Sequence, residues 1–161
     1  KDWFKEESAL LQKILPPEQI VRINHIGSTA IEGIWAKPTV DILIETTPEC
    51  DWDVICKTMD ENGYGCMSKN PTRITFMKGY TEDGFAEKVF HLHLRRTGDH
   101  DEQYFRDYLN EHPEIAKEYE RLKLGLWKKH EHNRDAYTGE KSVFVAKYTK
   151  RAKAKYQGRY E

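Results

Sequence analysis

The sequence predicts an α+β fold, a small mixed sheet with flanking helices and a C-terminal helical lobe. Three observations predict it. Short runs in which apolar and polar residues alternate are gathered between residues 20 and 95, amphipathic helical stretches precede and interrupt them, and after His100 the apolar spacing becomes helical and stays so. At 161 residues the chain is one domain's worth, read as an α/β core over 1–98 followed by the lobe over 99–161.

The elements follow in order. Asp2 is placed to cap a helix from Trp3 to Leu15, whose Trp3, Phe4, Leu10, Leu11 and Ile14 form an apolar stripe stopped by Pro16-Pro17. Ile20–His25 reads as the first strand and Thr39–Glu45 as the second. Thr47 followed by Pro48 opens a predicted helix to about Asn62 through Trp52, Ile55, Cys56 and Met59, closed by Gly63. Tyr64–Met67, Arg73–Lys78 and Val89–Arg95 read as strands, the last two joined by the turn-rich Thr81-Glu82-Asp83-Gly84. Beyond them, Asp101–Asn110 is a helix, and Pro113 starts a long one carrying Ile115, Tyr119, Leu122 and Leu126. A last helix from about Thr138 bears Val143, Phe144 and Tyr148. Its end carries Lys147, Lys150, Arg151, Lys153, Lys155 and Arg159, a basic stripe that either touches phosphates or is a solvated face.

Composition narrows the function classes. A net charge of −1 with 33% charged residues makes a dedicated nucleic-acid binder unlikely on charge grounds. Four Trp, nine Tyr and six Phe argue against disorder. Cys50, Cys56 and Cys66 are odd in number, lack the paired short spacings of a zinc site and read as buried free thiols of a reducing cytoplasm. No apolar run approaches a membrane span and Lys1-Asp2-Trp3-Phe4 is not a signal peptide, so the expected location is the cytoplasm.

The chemistry concentrates in His25-Ile26-Gly27-Ser28-Thr29-Ala30 and in the strand that follows. A glycine before two small hydroxyl residues lets backbone N–H groups approach an anion, and Thr29-Ala30-Ile31-Glu32 has the spacing of a capping box, so a positive helix end is predicted to point at the same anion. Alternation in the second strand sends Asp41, Leu43 and Glu45 to one face and Val40, Ile42 and Ile44 to the other. A charge on so apolar a strand is costly unless something pairs with it. His91-Leu92-His93-Leu94 is the second constellation: both imidazoles point to one face with Cα atoms about 6.7 Å apart, room for one metal or one anion between them. With Asp41 on a neighbouring strand they make a nitrogen and oxygen set that suits zinc, manganese or iron better than magnesium. His25 either faces this cleft or is a structural hydrogen bonder. Lys37 either binds phosphate or is a surface lysine, and Arg73 either forks onto a triphosphate or pairs with a carboxylate.

At these residues the chain resembles a known family. Gly27-Ser28, about a dozen residues, then Asp41 in a hydrophobic strand is the opening signature of the nucleotidyltransferase superfamily, with the fold of the DNA polymerase beta type. Lys37-Pro38 before Asp41, His91-Leu92-His93-Leu94, Tyr104-Phe105-Arg106-Asp107-Tyr108-Leu109, His112-Pro113 and Tyr137-Thr138 with Lys141 resemble the GrpB family of bacterial proteins, whose members are mostly uncharacterised. Some related domains are fused to dephospho-coenzyme A kinase. The resemblance implies a nucleotidyltransferase-like sheet, and it makes Lys141 a candidate to reach a ligand. Two departures stand out: Glu32 occupies a place where the family leads one to expect proline, and Leu43 occupies the place of a second acid. Active superfamily members hold two metal ions with two acids spaced two apart on one strand face. Glu45, about 13 Å along from Asp41, does not replace the missing one.

Three functions are therefore expected in competition. One is metal-assisted nucleotidyl or phosphoryl transfer on a small molecule, with Gly27, Ser28, Thr29, Lys37, Arg73 and Lys141 on phosphate, Asp41 catalytic, and Asp41, His91 and His93 on a divalent Mg, Mn or Zn. Another is a non-catalytic module binding a nucleotide or phosphorylated ligand. The last, nucleic-acid binding through the basic tail, is the least supported.

Overall fold

The structure is a computed structural model of the chain, described over residues 2–36, 38–81, 84–129 and 134–160. Helix α1 (Asp2–Ile14) leads into strands β1 (Ile20–Ile26) and β2 (Thr39–Thr46), then helix α2 (Trp52–Glu61), strands β3 (Gly65–Lys69), β4 (Arg73–Thr81) and β5 (Gly84–Arg96), and helices α3 (Asp101–Glu111), α4 (Pro113–Lys129) and α5 (Arg134–Lys155). The α+β reading therefore stands. The chain divides into two compact units, residues 1–30 with 37–100, and residues 31–36 with 101–161.

In the first unit the strands form one sheet in the order β1-β2-β5-β4-β3. β2 and β5 run parallel, while β1 with β2, β4 with β5 and β3 with β4 are antiparallel. Alternation assigns the faces. Val40, Ile42 and Ile44 join Phe90, Leu92, Leu94, Ile74 and Phe76 in one buried cluster with Leu11 and Leu15 and with Trp52, Ile55 and Met59 of α2. Glu7 of α1 is buried in this layer, where it accepts hydrogen bonds from the Tyr64 hydroxyl and from Lys78 Nζ at 2.9 Å. The opposite face carries Asp41, Leu43 and Glu45 beside His91, His93 and Arg95, which are their register partners.

Three predicted helix starts differ, of which α5 simply begins a turn early, at Arg134 rather than about Thr138. Thr47 and Pro48 form a turn closed by Cys50 N–H donating to the Thr47 carbonyl at 3.2 Å, and α2 begins only at Trp52, because the Asp51 carboxylate caps it by accepting from the Asp53 amide at 3.0 Å. Thr29-Ala30-Ile31-Glu32 caps no α-helix. The chain makes a single 3₁₀ turn over Ser28–Ala30, and the Thr29 hydroxyl that a capping box needs donates instead to the Thr39 carbonyl at 3.1 Å.

The second unit is helical. Ile31, Phe105, Leu109, Ala116, Tyr119 and Tyr148 form its main core, with Phe105 edge-on to Tyr119 at 5.2 Å between centroids. Residues 31–36 are fastened there by Glu32 N–H to Asn110 Oδ1 at 2.9 Å and by Lys117 Nζ to the Gly33 carbonyl at 2.6 Å.

Candidate functional site

Register brings the predicted centre together. Asp41 lies opposite His91 across the parallel β2 and β5 pair, with Leu43 opposite His93. Asp41 Oδ1 is 3.1 Å from His93 Nε2 and 3.7 Å from His91 Nδ1. All three side chains keep about a quarter of their surface, 27% for Asp41 and 22% for each histidine, so the cluster is open to solvent. A parallel pair places such residues side by side; had β4 been the neighbour of β2, the histidines would have been a strand further away.

The other wall is the Gly27 turn. Ile26, the last residue of β1, is the register partner of Asp41, so the chain turns directly over that carboxylate. Gly27 has φ +77°, and a Cβ there would stand 2.5 Å from Asp41 Oδ2. Glycine is required twice over, by the left-handed backbone and by this approach. Behind the turn, the Thr29 hydroxyl proton goes to the Thr39 carbonyl, so the 2.9 Å contact between His25 Nε2 and Thr29 Oγ1 has the histidine as donor. Phe4 stacks on the His25 ring at 5.1 Å, holding it in place. His25 is thus a positioning residue of the turn, and its place immediately before Ile26-Gly27 was its only sequence signal.

Burial holds His91 below the ordinary histidine pKa of 6.5, against the upward pull of Asp41 and with a further push down from His93. The ring is therefore neutral at neutral pH. In the unfolded chain it would take up a proton as pH falls through 6.5, whereas in the folded protein it resists until lower pH, so this group's contribution to stability is complete above 6.5 and is lost as pH falls from there toward the folded value. Expected for His91→Gln is a flatter stability profile than wild type between about pH 7 and 5, read from urea melts at each pH. Parallel profiles would remove His91 from the list of groups titrating with folding.

Arg73 does not join this cluster. Arg73 makes a bidentate pair with Asp99, Nε to Oδ2 at 2.8 Å and Nη2 to Oδ1 at 2.7 Å, and its register partner is Arg95, four residues beyond His91, about 13 Å along the strand. Of its two expected roles, the structure shows Arg73 as a carboxylate partner. Lys141 is half-buried in α5 of the second unit. Lys37 lies outside the described residues. Ser28 and Thr29 sit half-buried in the turn after Gly27. Glu45 is fully buried and pairs with Arg22 at 3.2 Å, with the buried His100 ring 4.0 Å away.

The donor set, two imidazoles and one carboxylate, has the chemistry for a borderline divalent metal. Without one, His93 Nε2 and Asp41 Oδ1 stand at hydrogen-bond distance, 3.1 Å. Among the described residues no group of three or more His, Cys, Asp and Glu is placed to hold a metal ion.

A family model described as GrpB protein matches residues 1–151. The chain belongs to the GrpB family. Glutamate-rich protein GrpB of Alkalihalophilus pseudofirmus is 37% identical over 151 residues, 90% of this chain and 86% of that protein. The UPF0157 protein YqkA of Bacillus subtilis is 33% identical over 97% of this chain but only 45% of its own length, so the chain spans about half of some GrpB relatives. The crystal structure of GrpB from Enterococcus faecalis superposes with TM-score 0.80 at 30% identity, covering 96% of this chain and 93% of that one. Cid1 poly(U) polymerase superposes with TM-score 0.51 at 11% identity, over 80% of this chain and 42% of that one, which places GrpB in the nucleotidyltransferase fold. Among the described residues no helix is long and apolar enough to cross a membrane.

Proposed function

We propose that this GrpB chain binds a nucleotide or another phosphate-bearing small molecule at the Gly27 turn and uses the Asp41, His91 and His93 cluster to take a proton from a hydroxyl of that ligand. The observation that carries the reading is the 3.1 Å contact of His93 Nε2 with Asp41 Oδ1, directly under the backbone of Gly27. A carboxylate that fixes one imidazole beside a second, neutral one is a proton-accepting arrangement. The half-buried Ser28 and Thr29 in the turn are the groups closest in sequence to where a phosphate oxygen would sit. Nucleotides are the first ligands to test because Cid1, which shares the fold, is described with Mg 3'-dATP and MgGTP bound.

Metal-assisted nucleotidyl transfer, the competing proposal, takes its support from the fold and from the retained Asp41; Leu43 in the place of the second acid and the direct Asp41 to His93 bond weigh against it. Nucleic-acid binding through the basic C-terminal tail has less support, since several of its cations have partners within their own unit. Lys147 and Arg151 each lie 5.2 Å over Tyr148, Arg159 lies 3.9 Å over Tyr156, and Lys153 pairs with Asp101 at 3.1 Å.

Calorimetric titration of ATP, GTP, CTP and UTP, with and without Mg²⁺ or Mn²⁺, tests the reading. Binding is expected for at least one nucleotide without added metal, weakened about tenfold by Asp41→Asn, about 1.4 kcal/mol. The same variant should lose less than about 1 kcal/mol of stability in urea, since the pair it breaks is partly exposed. A nucleotide that binds Asp41→Asn as tightly as wild type moves the site elsewhere, and binding that appears only with metal favours the competing proposal.

A further inference from the structure

We propose that Cys56 and Cys66 form a reversible disulfide under peroxide, tying α2 to the edge strand β3. Three features of the first unit bring the two thiols together. The chain reverses between α2 and β3 over residues 62–64, with Tyr64 N–H donating to the Met59 carbonyl at 3.0 Å. Cys56 lies three residues before Met59, about 4.5 Å back along the helix, and Cys66 two residues after Tyr64, about 6.6 Å back along the strand, so they stand at nearly the same level.

The faces agree as well. Cys66 is the register partner of Phe76 and Lys69 of Ile74, and both of those partners belong to the core layer that α2 covers. Cys56 packs at the margin of that same layer, beside Ile55 on the helix. Burial pushes the Cys56 thiol up, Lys69 pulls it down and Cys66 pushes it up, so the two β3 residues that register turns toward α2 are those that Cys56 senses. Cys50, the remaining thiol, is buried and donates to Gln19 Oε1 at 3.1 Å, whereas the exposed Cys66 makes only a long 3.7 Å contact to the Ser68 carbonyl, which it must release to reach Cys56.

Exposure assigns the order of events. Only Cys50 is buried as expected: Cys66, on an edge strand, is exposed, and Cys56, at the margin of the core, is half-buried. The Cys66 thiolate attacks one oxygen of hydrogen peroxide, breaking the O–O bond, and becomes a sulfenic acid as the first water leaves. The Cys56 sulfur then displaces the sulfenic oxygen as a second water, forming the S–S bond. Two thiols lose two electrons and two protons in all, and one peroxide is reduced to two waters.

Native protein treated with hydrogen peroxide should lose about 2 Da, regain it with dithiothreitol, and yield a linked peptide pair whose fragmentation joins Cys56 to Cys66. Cys56→Ser and Cys66→Ser should each abolish the loss. In Cys56→Ser, Cys66 should instead be trapped as a sulfenic acid by dimedone. The oxidised wild type should also melt at a higher temperature than the reduced, because the bond closes a loop in the unfolded chain. Persistence of the 2 Da loss in Cys56→Ser, sulfenic or sulfinic Cys66 accumulating in wild type beside a free Cys56, or a disulfide between two chains through Cys66 would each overturn the proposal.

Discussion

Leu43→Asp, which restores the acid that active nucleotidyltransferases carry at this place, is expected to destabilise the protein by about 4 kcal/mol or more rather than create a metal site. Leu43 has no exposed surface and lies between Asn24 and His93 in the sheet. The change removes a buried Leu side chain, worth about 2 to 5 kcal/mol when truncated to Ala, and puts in its place a carboxylate that must be desolvated or protonated. Urea melts in the presence and absence of 5 to 10 mM-scale Mg²⁺, roughly a physiological excess, read the result, since a bound ion would stabilise by mass action. Near-wild-type stability that rises steeply with metal would mean that the position is poised for a second ligand, and the proton-accepting reading of Asp41 would yield to two-metal chemistry.

Gly27→Val is expected to remove nucleotide binding and to lower stability by about 2 kcal/mol or more while leaving the fold in place. Valine is disfavoured at φ +77°, and its Cβ would stand 2.5 Å from Asp41 Oδ2 and 3.0 Å from Asp41 Cβ. The carboxylate has to swing away from His93, so turn and acid are lost together. Ser28→Ala deletes one hydroxyl and spares the backbone, and should weaken binding by only about 0.5 to 1.5 kcal/mol. Titration of the two variants gives the ordering. A Gly27→Val protein that binds as tightly as wild type would reduce the turn to a connector and leave the proposed site without its phosphate-binding wall.

Much of the local structure was legible because the signals that specify it are local. The period of two in β2 separates Asp41 from Val40, Ile42 and Ile44, and the shared face of His91 and His93 follows from the same geometry. Pro113 at the start of α4 and the Asp101 start of α3 were equally plain. Errors came where a long-range contact competed with a local propensity. Thr29 has the residues of a capping box three positions before Glu32, yet its hydroxyl is drawn to the Thr39 carbonyl and to His25, so the turn stops at Ala30. Where the sequence left a choice, as for Arg73 between a phosphate and a carboxylate, the fold supplies the carboxylate, Asp99 at 2.7 Å.

The order of elements, the face on which each charged residue lies and membership of the GrpB family were all written in the chain itself, because periodicity and motif spacing are properties of neighbouring residues. Strand neighbours were not. Asp41 and His93 are 52 residues apart, and no local rule selects β5 rather than β4 to lie parallel to β2. That pairing is settled by burial of the whole apolar face of the sheet at once, and it alone makes Asp41 and the two histidines one cluster. The same packing sets the His93 nitrogen 3.1 Å from the Asp41 carboxylate, a separation that no property of either strand alone determines.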